Sequence, residues 1–205
     1  MITLRQVERF FDEHQFRRLY RELAAARPEA NFALEATLAQ VVPVAALGAI
    51  RLDELSQSHT PLYRRFLNVV LTSQQLDGGW TDPMTTALCV RALLVGNGSG
   101  ESAARGLTYL ANLQKTEGIW PCEPIRRMPA DASASAFILF QLADRESFRR
   151  AVRFEDALDW FAHHAKTLDV ETRRIWTHAA ARCRVPAEPS APPSHHLWSP
   201  ARPAA

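Results

Sequence analysis

The sequence predicts an all-α protein that is built as an array of about four helical hairpins. Two observations support this prediction. Apolar residues recur at helical spacing along most of the chain, and no stretch shows the strict alternation of a strand. A pattern that ends in Gly-x-Trp also occurs twice, with its tryptophans, Trp80 and Trp120, forty residues apart. Internal repeats of this length are typical of stacked helical units.

The helical segments are separated by short clusters of Gly, Pro, Asp and Asn, which are frequent in the turns between helices. Pro43 lies inside the second segment, where a proline is expected to bend or break the helix. The predicted helices cover residues 3–25, 29–50, 61–73, 83–95, 101–113, 132–143, 148–164 and 170–183.

These segments predict one helical domain over residues 1–184, followed by a tail. Residues 1–58 are grouped as N-terminal helices, 59–144 as the repeats, and 145–184 as a degenerate hairpin. Residues 185–205 are rich in Pro and Ala and offer little to bury, so we expect a disordered tail there.

Composition argues against several classes of protein. A net charge of +2 with mixed signs along the chain does not favour nucleic-acid binding. No segment reaches the run of about 18 apolar residues that a membrane span requires, and the first residues lack a signal peptide. We therefore expect a cytoplasmic protein. The three cysteines, Cys89, Cys122 and Cys183, lack metal-ligand spacing and are expected to be reduced thiols, and no metal or cofactor is expected.

The repeat consists of a leucine, a glutamine four residues later, and then Gly-x-Trp after a short gap. Its members are Gln75, Gly78 and Trp80 in the first copy, and Gln114, Gly118 and Trp120 in the second. A glutamine amide can satisfy the free backbone groups at a helix end, and a tryptophan two residues past a glycine can fold back over it. We therefore assign these residues a structural role.

The segments that follow each copy are apolar nearly all round, which is typical of helices enclosed on most sides. They open with Asp82 and Asp131, residues suited to a helix N-cap. The segments that precede each copy carry a polar face, so we expect an inner row of helices that is wrapped by an outer one. A third copy is degenerate, with Trp160 but no Gly-x-Trp turn.

The repeat resembles the QW motif of squalene-hopene cyclase-like and oxidosqualene cyclase-like proteins, over residues 71–142. Arg105, Gly106 and Leu110 extend the match in the second copy. The wider superfamily includes the β subunits of protein prenyltransferases, and the resemblance implies an α/α toroid. HEAT- or armadillo-like repeats have a similar length but do not call for Gln and Gly-x-Trp in the turn.

The resemblance also implies where catalytic groups would lie. Class II terpene cyclases protonate an alkene with an aspartic acid of a DxDD motif, and here the comparable positions hold Asp82, Met84 and Thr85. Methionine cannot donate a proton, so Asp82 and Asp131 are weak catalytic candidates and are expected to be helix caps.

The zinc site of the prenyltransferases needs Asp and Cys two residues apart on one inner helix. The comparable positions here hold Asp131 and Ser133, and serine is a poor zinc ligand. His164 and His178 follow further along the chain, but we expect ordinary surface or packed histidines there. The sequence therefore predicts no metal site.

Two groups of residues near Asp131 are candidates for ligand binding. Phe137 and Phe140 could line a cavity on the helix that Asp131 opens, although core packing is the expected alternative. Arg126 could meet an anionic group near the start of the same helix, and a solvated loop explains this residue equally well.

About four hairpins are fewer than the roughly six of a closed toroid, so we expect an incomplete or open ring that needs a cap or a partner. The leading hypothesis is a divergent member without the usual catalytic groups. Its concave face would bind an apolar, isoprenoid-like ligand or a protein segment. One alternative is an enzyme with altered chemistry, a cyclase, transferase or polysaccharide lyase, that uses Asp82, Asp131 and Arg126. Another is a structural module that forms a homodimer.

Overall fold

The computed structural model describes residues 31–95, 100–125 and 127–184, and every regular element in these ranges is a helix. The predicted all-α class is confirmed. The predicted helix over 3–25 and the predicted tail over 185–205 lie outside the described residues. In chain order the helices are α1 Asn31–Glu54, α2 Pro61–Thr72, α3 Pro83–Val95, α4 Gly100–Leu113, α5 Ala132–Leu142, α6 Glu146–Ala151, α7 Phe154–His164 and α8 Val170–Cys183.

Four of the helices form one row, which we call the inner row. It consists of α1, α3, α5 and α8, and each of these helices packs against the next. On the other side, α2 packs mainly on α1, and α4 packs on α3 and contacts α6. The described residues thus form a two-layered helical array, while the closure of such an array into a toroid stays a prediction. No helix in the described ranges is long and apolar enough to cross a bilayer.

Two neighbouring helices, α3 of the inner row and the outer helix α2, differ in burial as their sequences predict. Every residue of α3 from Thr85 to Leu93 is buried, because neighbours surround this helix. The outer helix α2 buries only one stripe, Tyr63, Phe66 and Val70, at the three- and four-residue spacing of a single helical face.

The sequence predicts a bend or a break at Pro43, and the helix does not break there. α1 continues through Pro43 and ends at Glu54 rather than at residue 50. A proline inside a helix removes one backbone hydrogen bond and clashes with the preceding turn. Here the neighbouring Val42, Ala45 and Ala46 are almost completely buried, so the packing of this helix offsets that cost.

The predicted helix over 148–164 is two helices, α6 and α7, which meet at an extended residue, Val152. In one continuous helix, Phe148 and Phe154 would point about 120° apart around the axis. The break lets both side chains enter the core, where their rings meet edge to face with centroids 6.3 Å apart. Burial of two aromatic side chains thus outweighs the continuity of the helix.

α1 ends in a left-handed turn. The N–H of Ser56 donates to the carbonyl of Asp53, and that of Gln57 donates to the carbonyl of Leu52, as in a Schellman motif. Ser56 has a φ of 58°, a conformation in which glycine is favoured because it has no Cβ.

We expect Ser56→Gly to raise the free energy of unfolding by about 0.5–1 kcal/mol, because glycine removes the cost of the left-handed conformation. Urea denaturation monitored by circular dichroism measures the change. Ser73→Gly is the control, since Ser73 ends α2 with a φ of −95° and gains no such relief. Equal changes in the two variants would contradict the assignment.

Candidate functional site

The indole rings of Trp80 and Trp120 occupy equivalent places in two successive turns. Each Nε1–H donates to a backbone carbonyl in the last turns of the preceding outer helix, Val70 in α2 and Leu110 in α4, and both distances are 2.8 Å. The two side chains are 1% and 0% exposed. The carbonyls near a helix end need partners, and the buried indoles supply them.

The backbone of each tryptophan is bound by the inner helix that follows. The N–H of Trp80 donates to Oγ1 of Thr86 at 3.0 Å, and the N–H of Trp120 donates to Oγ of Ser135 at 2.8 Å. Each tryptophan therefore joins an outer helix to the next inner helix. Sequence reasoning missed Thr86 and Ser135, although both stand four residues after the aspartate that opens their helix.

A glutamine in each turn reaches the next hairpin along the chain. Nε2 of Gln114 donates to the carbonyls of Gly118 at 2.6 Å and Arg153 at 2.9 Å, and its Oε1 accepts from the N–H of Arg153 at 2.8 Å. Arg153 lies just before α7, at the break described above. The break therefore presents free backbone groups to the glutamine.

The equivalent residue in the first turn is Gln74, and not the Gln75 selected from the sequence. Nε2 of Gln74 donates to the carbonyls of Gly78 at 2.8 Å and Ser102 at 2.9 Å. Gln75 is exposed. The sequence pattern was aligned on Leu71 and Leu110, whereas the tryptophans bind Val70 and Leu110. Alignment on Leu71 therefore shifts the glutamine by one position.

Both turns require glycine at one position. Gly78 and Gly118 have φ values of 91° and 89°. A Cβ on Gly78 would lie 2.8 Å from the carbonyl oxygen of Arg105, and one on Gly118 would lie 2.6 Å from the carbonyl carbon of Asp156. Each turn thus lies directly against the outer helix of the next hairpin, where no side chain fits. We call the glutamine, glycine and tryptophan of each turn a clasp.

The third hairpin lacks a clasp. Trp160 stacks on His164 within α7, with ring centroids 4.2 Å apart. Before α8, the guanidinium of Arg173 donates to the carbonyls of Lys166 and Leu168. Arg173 stands four residues after Asp169, the position that Thr86 and Ser135 hold in the other two inner helices, and it binds turn carbonyls there.

Asp82 and Asp131, the weak catalytic candidates, both accept hydrogen bonds at the start of an inner helix. Oδ1 of Asp82 accepts from the N–H of Thr85 at 2.8 Å, and Oδ1 of Asp131 accepts from the N–H of Ala134 at 2.7 Å. Asp169 accepts the same bond at the start of α8. This shared geometry is that of helix N-caps.

Phe137 and Phe140 lie on the one side of α5 that is not fully buried. The partly exposed residues along this side, which we call the α5 face, are Ser133, Phe137, Phe140 and Asp144. From α8, the guanidinium of Arg182 lies 4.5 Å from the ring centroid of Phe140, and the ring of His178 meets it edge to face. The face is therefore apolar in the middle and charged at one end.

The charged end centres on Asp144. Its carboxylate lies 3.7 Å from the guanidinium of Arg91 and 3.7 Å from that of Arg182, and 3.8 Å from that of Arg145. Sequence reasoning missed this cluster, for which Arg91, an arginine inside an apolar helix, was the available signal.

Two arginines at this end of the fold, Arg91 of the cluster and Arg149, bind the carbonyls of helix ends. Arg91 is 7% exposed, and burial together with the nearby Arg182 lowers its pKa. Its Nη1 donates to the carbonyl of Gln141 at 2.7 Å, and Arg149 donates to the carbonyls of Ala143 and Cys183. These groups lie where α5 and α8 end, so the positive charges also oppose the helix dipoles. The cluster thus has a structural role.

The described cysteines and histidines do not come together in one site. Burial raises the pKa of Cys89 well above its ordinary value and that of Cys183 to about 11, so both stay protonated at neutral pH. His164 and His178 pack on different rings, Trp160 and Phe140. Within the ranges that the structure describes, no group of three or more His, Cys, Asp or Glu residues could hold a metal ion. Arg126 lies outside the described residues.

No protein-family model matches the chain, and neither a curated protein nor a solved structure matches it significantly.

We expect Gln74→Ala to lower the free energy of unfolding by about 1–3 kcal/mol, because it leaves backbone carbonyls of two hairpins without their donor. The neighbouring Gln75→Ala is the matched control and should change it by less than about 0.5 kcal/mol, since Gln75 is exposed. Urea denaturation of both variants measures the difference. A larger loss from Gln75→Ala would show that the clasp is assigned to the wrong residue.

Proposed function

We propose that this chain is a binding protein on a divergent terpenoid cyclase/prenyltransferase-like scaffold, and that its α5 face holds an apolar, isoprenoid-like ligand. One observation carries the proposal. Phe137 and Phe140 stay partly exposed although α5 buries its other apolar side chains from Ala134 to Leu142. Sites for apolar ligands are lined mainly by hydrophobic and aromatic side chains, and these two rings supply such a lining.

The physical gain of such binding is the removal of aromatic surface from water. Burial of apolar surface contributes about 25 cal/mol per Å², and aromatic side chains offer the largest such areas. The faces of Phe140 and Phe137 differ in their surroundings, since Arg182 already covers part of Phe140. A ligand therefore gains most at Phe137.

Binding is favoured over catalysis because this chain lacks the catalytic side chains at the positions where terpenoid cyclases and prenyltransferases carry them. Asp82 caps α3, and the next positions hold Met84 and Thr85, which are not acids. On α5, Asp131 is likewise a cap, and Ser133 stands where the resemblance calls for a thiolate ligand. An enzyme that uses Asp82 and Asp131 would have to release both carboxylates from the helix ends that they stabilise.

A small molecule is favoured over a protein segment because the partly exposed apolar surface of α5 consists mainly of two rings. Stable protein–protein interfaces bury about 1,200–2,000 Å² in total, which far exceeds two partly exposed phenylalanines. Native mass spectrometry, described below, tells a bound protein segment from a bound small molecule.

We expect the full chain to bind Nile red, a neutral apolar dye, and farnesol to displace it. Phe137→Ala should weaken both affinities about tenfold, which corresponds to about 1.4 kcal/mol. Dye fluorescence measures binding, and native mass spectrometry of the protein as purified reports any apolar small molecule that it already carries.

Leu76→Ala is the control, because Leu76 is a fully exposed apolar side chain in the first turn and is not part of the α5 face. Circular dichroism confirms that both variants are folded. Equal affinity in Phe137→Ala and the natural chain would contradict the proposed site. A retained partner protein in place of a small molecule would contradict the proposed ligand class.

A further inference from the structure

The α5 face ends in charged side chains that leave much of their hydrogen-bonding capacity unused. Nη1 of Arg182 and Oδ1 of Asp144 are buried and have no hydrogen-bond partner among the residues that the structure describes. Arg91 uses its Nη1 for the carbonyl of Gln141, but a guanidinium offers several N–H donors. Both guanidiniums lie 3.7 Å from the carboxylate of Asp144, which is too far for a hydrogen bond. This end of the face can therefore donate to a bound group.

The same end carries more positive than negative charge. Asp144 lies between the guanidiniums of Arg91 and Arg182 and balances one of them, so one positive charge is left. Burial and the nearby Arg182 lower the pKa of Arg91, which shows that the two guanidiniums repel each other. One further negative charge at these two side chains would relieve the repulsion.

Two other charged side chains near this end, Arg145 and Glu54, have partners of opposite sign. Burial raises the pKa of Asp53, and Arg145 opposes that shift, so these two side chains lie close to each other. Glu54 forms an ion pair with Arg51. These pairs therefore leave the excess positive charge in place.

The charged end continues directly into the aromatic part of the face. The guanidinium of Arg182 lies 4.5 Å from the ring centroid of Phe140, and Phe137 precedes Phe140 by one helical turn on the same side of α5. At a rise of about 1.5 Å per residue, the face extends about 10 Å from Phe137 to Asp144. A ligand that lies along it contacts apolar rings with one end and guanidiniums with the other.

We propose that the ligand of the α5 face is an amphiphile with a singly charged anionic head, namely a carboxylate on a long apolar chain. The chain lies on Phe137 and Phe140, and the carboxylate accepts hydrogen bonds from Arg182 and Arg91. A carboxylate matches the planar fork of a guanidinium, and its one negative charge equals the excess at this end. The inference rests on the proposed function, because it needs the α5 face to bind an apolar chain.

Isothermal titration calorimetry of the full chain with decanoate and decanol tests the head group, since these two ligands share one chain. Decanoate should bind about tenfold more tightly than decanol, because charge-assisted hydrogen bonds add to the apolar contact. Arg182→Gln should remove this preference. Arg65→Gln is the matched control, because Arg65 is exposed on the outer helix α2 and its loss changes the net charge equally.

Asp144→Asn should change the preference in the opposite direction. Asparagine removes the carboxylate that competes with the ligand for the two guanidiniums, so the preference for decanoate over decanol should rise about fivefold. A purely structural role of Asp144 would affect both ligands alike. Circular dichroism confirms that each variant is folded.

Equal affinities of the natural chain for decanoate and decanol would overturn the anionic head and leave the apolar site intact. Binding of neither ligand would contradict the proposed function as well. An unchanged or reduced preference in Asp144→Asn would also overturn the proposal. Decyl phosphate has a more highly charged head and should bind no more tightly than decanoate, and tighter binding would rule out the singly charged head.

Discussion

The indole N–H groups of Trp80 and Trp120 donate to carbonyls of α2 and α4, and this bond connects each turn to the helix before it. The remainder of each clasp extends forward. Threonine or serine hydroxyls hold the tryptophan backbones on the next inner helix, and Gln74 and Gln114 reach the next hairpin. Buried backbone groups are costly without partners, so these contacts determine how successive hairpins stack.

This constraint is the physical reason for proposing binding rather than catalysis. The clasps occupy the helix ends, and the carboxylates of Asp82 and Asp131 are used as caps. The cluster around Asp144 likewise has a structural role, because its Arg91 donates a hydrogen bond to a carbonyl of α5. What remains is the α5 face with Phe137 and Phe140, whose chemistry is apolar contact.

Local patterns predicted much of the fold. The bounds of α3 and α8 agree with the sequence, because Asp caps and apolar spacing define them directly. Interactions between distant segments were not predictable in this way. The continuation of α1 through Pro43 depends on packing, and the break before Phe154 depends on the burial of two rings. The choice between Gln74 and Gln75 depends on contact with Ser102, and a single sequence does not contain that information.

Both indoles form buried hydrogen bonds that join each turn to the helix before it. Hydrogen exchange of the indole Nε1–H groups, followed by ¹⁵N-edited NMR, measures this directly. We expect the Nε1–H groups of Trp80 and Trp120 to exchange only through global unfolding, with protection equal to the full free energy of unfolding. Rapid exchange of either Nε1–H group in the folded protein would show that this hydrogen bond does not hold the turn in place.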